Sequence, residues 1–147
     1  MTREMLFRGK RLDNGEWVEG FYARIHDGKG NVSHRIYTGY AESDCGDFYP
    51  ENFEIAPSTV GQFTGKMDVN GKKVFEHDIL QLYTVWVDGT RTKSAKVIVQ
   101  WWENDQCYVL TTKEGYHCND FGNYGRPEYF EVIGNIHDNP ELLEGKG

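Results

Sequence analysis

Short apolar runs with a period near two recur along this chain, separated by Gly, Asn and Asp. Such a pattern predicts strands rather than helices. The clearest turn signals lie in residues 59–80. Val60 and Phe63 are strand formers, interrupted by Gly61 and Gly65. Asp68-Val69-Asn70-Gly71 is a turn, because Asn and Gly both tolerate the positive φ of a two-residue hairpin loop. Val74 and Phe75 resume an extended segment, and Glu76-His77-Asp78 leads into the β-prone run Ile79-Leu80-Gln81-Leu82-Tyr83. The stretch predicts an antiparallel hairpin followed by a third strand.

Other elements follow by the same logic. Residues 6–10 and 17–22 form strands across the Asp13-Asn14-Gly15-Glu16 turn, an N-terminal β-hairpin. Residues 26–35 are loop-like, 35–38 a short strand, and 40–58 polar and irregular, with Gly46, Pro50 and Pro57. Residues 95–102 are the strongest strand, returning through Glu103-Asn104-Asp105 to 106–110. A Gly- and Asn-rich loop covers 117–127, and 129–136 is the last strand. Asn139-Pro140-Glu141-Leu142-Leu143 predicts one short C-terminal helical turn, capped by Asn, opened by Pro and ended by Gly145.

The expected fold is therefore all-β, with a soft boundary near Pro57-Ser58. Residues 1–57 form an N-terminal β-hairpin and irregular region, and 58–147 a small closed barrel. A lone two-stranded hairpin is marginal in water, so the N-terminal one must pack on the barrel or on another subunit. Its large apolar groups Phe7, Trp17, Phe21 and Tyr22 suit either.

Composition narrows the function classes. With 147 residues, 16 Lys plus Arg and 23 Asp plus Glu, the net charge is −7, which disfavours broad binding to nucleic-acid backbones. No long apolar run marks a signal peptide or a membrane span. Cys45, Cys107 and Cys118 are an odd set without Cys-x-x-Cys, which fits free thiols in a reducing cytoplasm.

Candidate chemistry is sparse. Gly61 to Gly65-Lys66 is one residue short of a phosphate-binding loop and lacks its hydroxyl. Asp68-Val69-Asn70-Gly71 places its Gly too early for a calcium loop. Glu76-His77-Asp78 has the groups for a metal or acid–base pair, with Glu76 and Asp78 on one strand face and His77 on the other. Polar turn residues, with Asp78 bonded to nearby backbone N–H groups, are the preferred explanation. Cys107, His117-Cys118 and His137 lack the paired spacing of zinc sites. No Gly-x-Ser-x-Gly is present, and His26 and His34 sit in polar surroundings. The sequence thus predicts no enzyme, no cofactor and no metal. Trp101-Trp102 is the remaining feature: consecutive strand residues point to opposite faces, so one enters the core while the other faces out. The outward ring suits a nucleobase, a peptide or a subunit interface, and the last is preferred.

Several segments resemble the YopX family of phage and prophage proteins. They are Met1-x-Arg3-Glu4-x-Leu6-Phe7-Arg8-Gly9-Lys10-Arg11, 15–22, 59–65, 68–72, 74–79 and 131–143. Only 25–57 and 83–126 fall outside the likeness. One departure is His77, where the family more often has Gly before the Asp. A side chain there counts against the positive φ that Gly would permit. The resemblance implies an SH3-like barrel in the C-terminal half and a phage-encoded protein made in the bacterial cytoplasm. It implies no reaction, cofactor or catalytic residue.

Together these readings predict a non-enzymatic accessory protein. It self-associates and binds a host or phage protein, with Phe7, Trp17, Phe21, Tyr22, Trp101 and Trp102 as candidate interface residues. The alternative is a nucleic-acid-binding barrel using exposed Trp and Tyr beside the basic Arg8, Lys10 and Arg11. An acidic DNA mimic is a third possibility, resting on charge and phage origin.

Overall fold

The computed structural model describes residues 4–121 and 126–144, with the backbone alone at 118–120. Its strands are β1 (Phe7–Lys10), β2 (Trp17–His26), β3 (Val32–Glu42), β4 (Phe48–Glu54), β5 (Gly61–Met67), β6 (Lys73–Phe75), β7 (Asp78–Val85), β8 (Arg91–Trp102), β9 (Cys107–Thr111), β10 (His117–Asp120) and β11 (Phe130–Asn135). Helical structure among the described residues is all of the 3₁₀ type, with turns at Pro57–Thr59, Pro127–Tyr129 and Pro140–Leu143. Each opens at a proline, whose missing N–H would be unsatisfied there anyway. The mainly-β class is as the strand pattern predicts. No helix among the described residues is long and apolar enough to cross a membrane. The chain divides into two compact units, 1–63 and 64–147.

In the first unit the antiparallel strands run β4-β3-β2-β1, with the start of β5 on the far side of β1. The β1–β2 hairpin closes with Lys10 opposite Trp17. Its turn uses Gly15 at φ 73°, and the Gly15 N–H donates to the Arg11 carbonyl. The β2–β3 connection is folded around Asp27. Its carboxylate accepts from the Asn31 amide and from the Lys29 and Asn31 N–H groups, which hold it below the usual carboxylate range. Ile36 and Ile55 are the buried anchors of this unit.

The irregular region expected over 40–58 is corrected here. It holds the end of β3 and all of β4, paired from Arg35↔Glu54 to Glu42↔Phe48. The residues that looked like breakers have local roles. Gly46, at φ 85°, sits in the β3–β4 turn, where the Ser43 hydroxyl accepts the Asp47 N–H. Pro50 lies on β4, which ends the strand order and need not donate outward. The loop expected over 26–35 is likewise shorter, because β3 starts at Val32.

In the second unit the order is β10-β9-β8-β7-β11, a meander whose last strand returns to β7. The Thr64 hydroxyl donates to the Val74 carbonyl, joining β5 to β6. The core comprises Val74, Leu80, Leu82, Val97, Val99, Leu110, Phe121 and Phe130. Leu80/Leu82 and Val97/Val99 are two apart, so each strand presents one face to it. Burying such a side chain contributes about 1.5–3 kcal/mol. Among the described residues β10 and β11 stand at the two ends of the hydrogen-bonded order.

Part of the loop expected over 117–127 is the short strand β10, which pairs irregularly with β9. The C-terminal turn forms as predicted at Pro140–Leu143, but Asn139 does not cap it with its side chain. The Asn139 Oδ1 instead accepts the Asn135 N–H at 3.3 Å. Gly145 and the side chain of Cys118 lie outside the described residues. The turned-back Asn139 explains Gly134, where a Cβ would meet Asn139 Oδ1 at 2.5 Å and Cγ at 2.8 Å. Gly134→Ala is expected to cost about 1–3 kcal/mol by overpacking, read as a lowered urea midpoint.

Candidate functional site

Alternation along β2 sorts the aromatic residues of the first unit. Trp17, Glu19 and Phe21 share one face, and Val18, Gly20 and Tyr22 the other. Contacts agree. The rings of Phe7 and Tyr22 lie 5.9 Å apart, and the Tyr22 hydroxyl is hydrogen-bonded to His34 Nδ1. On the opposite face the Arg8 guanidinium lies 4.8 Å and the Lys10 ammonium 5.7 Å from the Trp17 ring. The four candidates from this hairpin therefore form two pairs on opposite faces. Phe7 and Tyr22 are half-buried, whereas Phe21 is 69% exposed.

Around Phe21 runs a groove of about 490 Å³, lined by Glu19, Phe21, Tyr37, Thr38, Tyr40 and Pro50 among others. Tyr40 and Phe48 are also strongly exposed, at 77% and 73%. These two residues were absent from the sequence-based candidates, because their segment looked irregular. The β3–β4 register, with Tyr40 opposite Pro50 and Glu42 opposite Phe48, places them, and no local sequence signal did.

Trp101 and Trp102 lie in the second unit, at the end of the β8–β9 hairpin, opposite Tyr108 and Cys107. Neither enters the core, contrary to expectation. By alternation Trp101 follows Val97 and Val99, but it lies past the last core contact and is 38% exposed. Its ring meets Tyr108 edge-on at 5.1 Å, and its Nε1–H donates to Glu103 Oε2 at 2.8 Å. Trp102 is half-buried, its ring 5.1 Å from that of His117.

The titratable candidates separate and recombine. Glu76 and His77 form the turn between β6 and β7, so the face alternation expected of them does not apply. His77 has φ 76°, so the side chain that counted against a left-handed backbone does not prevent it. That conformation costs about 1–2 kcal/mol in a residue other than glycine. It is held from both sides: the His77 N–H donates to the Val99 carbonyl, and the His77 carbonyl accepts the Ile136 N–H. The Asp78 carboxylate accepts the Phe75 N–H at 2.8 Å, the backbone role expected of it. His137 does not gather with His117 but lies against His77, Nε2 to Nδ1 at 3.3 Å. Sixty residues separate the two, and no sequence signal joined them. Among the described residues no group of three or more His, Cys, Asp or Glu is arranged to hold a metal.

These features define a mainly-β protein of two compact units, the first of which exposes large aromatic side chains. The chain belongs to the YopX family: the family's sequence model, described as "YopX protein", matches residues 6–144. It is similar to the crystal structure of protein EF1440 from Enterococcus faecalis, with 24% identity and a TM-score of 0.54. That likeness covers 97% of this chain and 99% of the other, and speaks for the fold alone. No curated protein matches the chain.

Proposed function

We propose that this protein is a non-enzymatic, phage-encoded accessory protein of the bacterial cytoplasm that self-associates through the aromatic face of its first unit. The observation that carries the reading is the strong exposure of Phe21, Tyr40 and Phe48 on one strand system. Contiguous exposed aromatics favour protein contacts. Arg8 and Glu19 are opposite one another on that face, so it carries both signs of charge, as a self-complementary surface does. Host or phage proteins are the further partners this reading allows, bound through the same aromatic anchors.

Light scattering over a concentration series tests it. The wild type is expected well above the monomer mass of 17.0 kDa, with little salt dependence. The Phe21→Ser/Tyr40→Ser double variant is expected to fall to that mass with its circular dichroism retained. A wild-type monomer at high concentration that captures nothing in pull-downs rejects the reading.

The placement of Arg8 and Lys10 over Trp17 supports nucleic-acid binding as a second reading. It predicts single-strand binding that weakens steeply with salt. The net charge of −7 opposes it.

A further inference from the structure

We propose that His77 and His137 form a binding site for a divalent transition-metal ion of the zinc type. The site belongs to the second unit and does not depend on the role of the aromatic face. Four observations carry it. First, His77 Nδ1 and His137 Nε2 face one another at 3.3 Å. Two imidazole nitrogens bound at about 2.1 Å to a tetrahedral zinc ion stand roughly 3.4 Å apart, so little movement is needed. Second, the rings are nearly perpendicular, at 82°, which lets both lone pairs converge without ring overlap. Third, Glu76 Oε2 lies 3.7 Å from the remote His77 Nε2. At that distance the carboxylate acts through its charge, which favours a cation bound at the ring's other nitrogen, Nδ1. Fourth, His77 occupies a left-handed backbone position that glycine would hold without strain. A strained residue fixed by its surroundings points to a role for its side chain.

Both ligands are set in place by the fold. His77 is clamped by Val99 and Ile136 through its backbone. Asn135 Oδ1 accepts the N–H groups of His137 and Asp138, which fixes the start of the 137–138 segment. The His77 side chain is 24% exposed, enough for an ion to enter. Without metal, one ring donates and the other accepts a hydrogen bond. On binding, the proton of the donating nitrogen passes through solvent to the other nitrogen of the same ring, and the ion takes its place between the two facing nitrogens. Among the described residues no third His, Cys, Asp or Glu is placed to join them as a metal ligand. Water completes the sphere, so affinity falls short of a structural zinc site and the fold does not require the metal.

Zinc titration of the full chain by calorimetry tests this, with wild type, His77→Gly, His137→Gln and Glu76→Gln. The wild type is expected to bind one Zn²⁺ per chain. His77→Gly and His137→Gln should each weaken binding tenfold or more. His77→Gly should do so without lowering the thermal midpoint, because glycine suits the backbone there. Glu76→Gln, which alters only the positioning carboxylate, should weaken it less. Absence of wild-type binding, or full binding in both histidine variants, overturns the proposal; the latter would assign the zinc to thiols or to His117.

Discussion

Asp68→Ala is expected to cost about 3–5 kcal/mol, enough to threaten folding in a protein of ordinary stability. Asp68 is only 3% exposed, yet its carboxylate has abundant partners. Oδ1 accepts the N–H groups of Asn70 and Lys72, both at 2.9 Å, which closes the 68–72 turn. Oδ2 accepts the Val132 N–H at 2.9 Å, which ties that turn to β11. The backbone adds to this, since the Asp68 N–H donates to the Lys72 carbonyl and the Val69 N–H to the Phe130 carbonyl. Alanine would strand three donors. Hydrogen bonds to a charged acceptor are worth about 1.5–3 kcal/mol each, and shared partners make the sum less than additive. Asp68→Asn keeps one acceptor oxygen but turns an amide N–H₂ toward a donor, so an intermediate loss of about 1–2 kcal/mol is expected. Urea denaturation reads both as a shift of midpoint at constant slope. A loss below about 1 kcal/mol for alanine would mean that water reaches the three N–H groups.

The Asp68 turn shows what could be read from sequence and what could not. Asp-Val-Asn-Gly announced a turn because the signal is local. The bond to Val132 spans 64 residues and left no local trace. The same division holds elsewhere. The β1–β2 hairpin was legible from Asn14-Gly15, and β8 from its run of β-branched residues. Only 35–38 of β3 was legible, and the rest of β3 and all of β4 were not, because Tyr40, Phe48 and Tyr49 are exposed and the apolar alternation that marks a half-buried strand is missing. Pro50 and Gly46 then read as breakers, although an edge strand tolerates the first and a turn requires the second. For the candidate surface, alternation alone separates Trp17 and Phe21 from Tyr22, so that much was available in advance. The meeting of His77 with His137 was not, since it depends on β11 returning beside β7.

Gly20→Ala is expected to be the most disruptive single change in the first unit, at about 3 kcal/mol or more. A glycine inside a strand usually weakens it, so its presence in the middle of β2 needs a reason. The reason is the approach of β3. A Cβ on Gly20 would overlap the Tyr37 carbonyl oxygen and lie 2.9 Å from its carbon and 3.2 Å from Ile36 Cγ2. Tyr37 is the last residue before the bulge that shifts the β3–β4 register, and Ile36 is fully buried. Neither can retreat by changing a rotamer, because the obstacle on one side is backbone and on the other a packed core. The strands must part instead, breaking the ladder from Phe21↔Tyr37 onward. Gly9 provides the control. There the added Cβ meets Ile55 at Cδ1 (2.7 Å), Cβ (3.1 Å) and Cγ1 (3.3 Å), a side chain and no backbone, so Gly9→Ala should cost less. Limited trypsin digestion distinguishes the two: Gly20→Ala should open cleavage after Arg24, Lys29 and Arg35 well before wild type or Gly9→Ala. Equal resistance in all three would mean that β2 can slide away from β3 at little cost, and that the close approach at Tyr37 does not hold this sheet together.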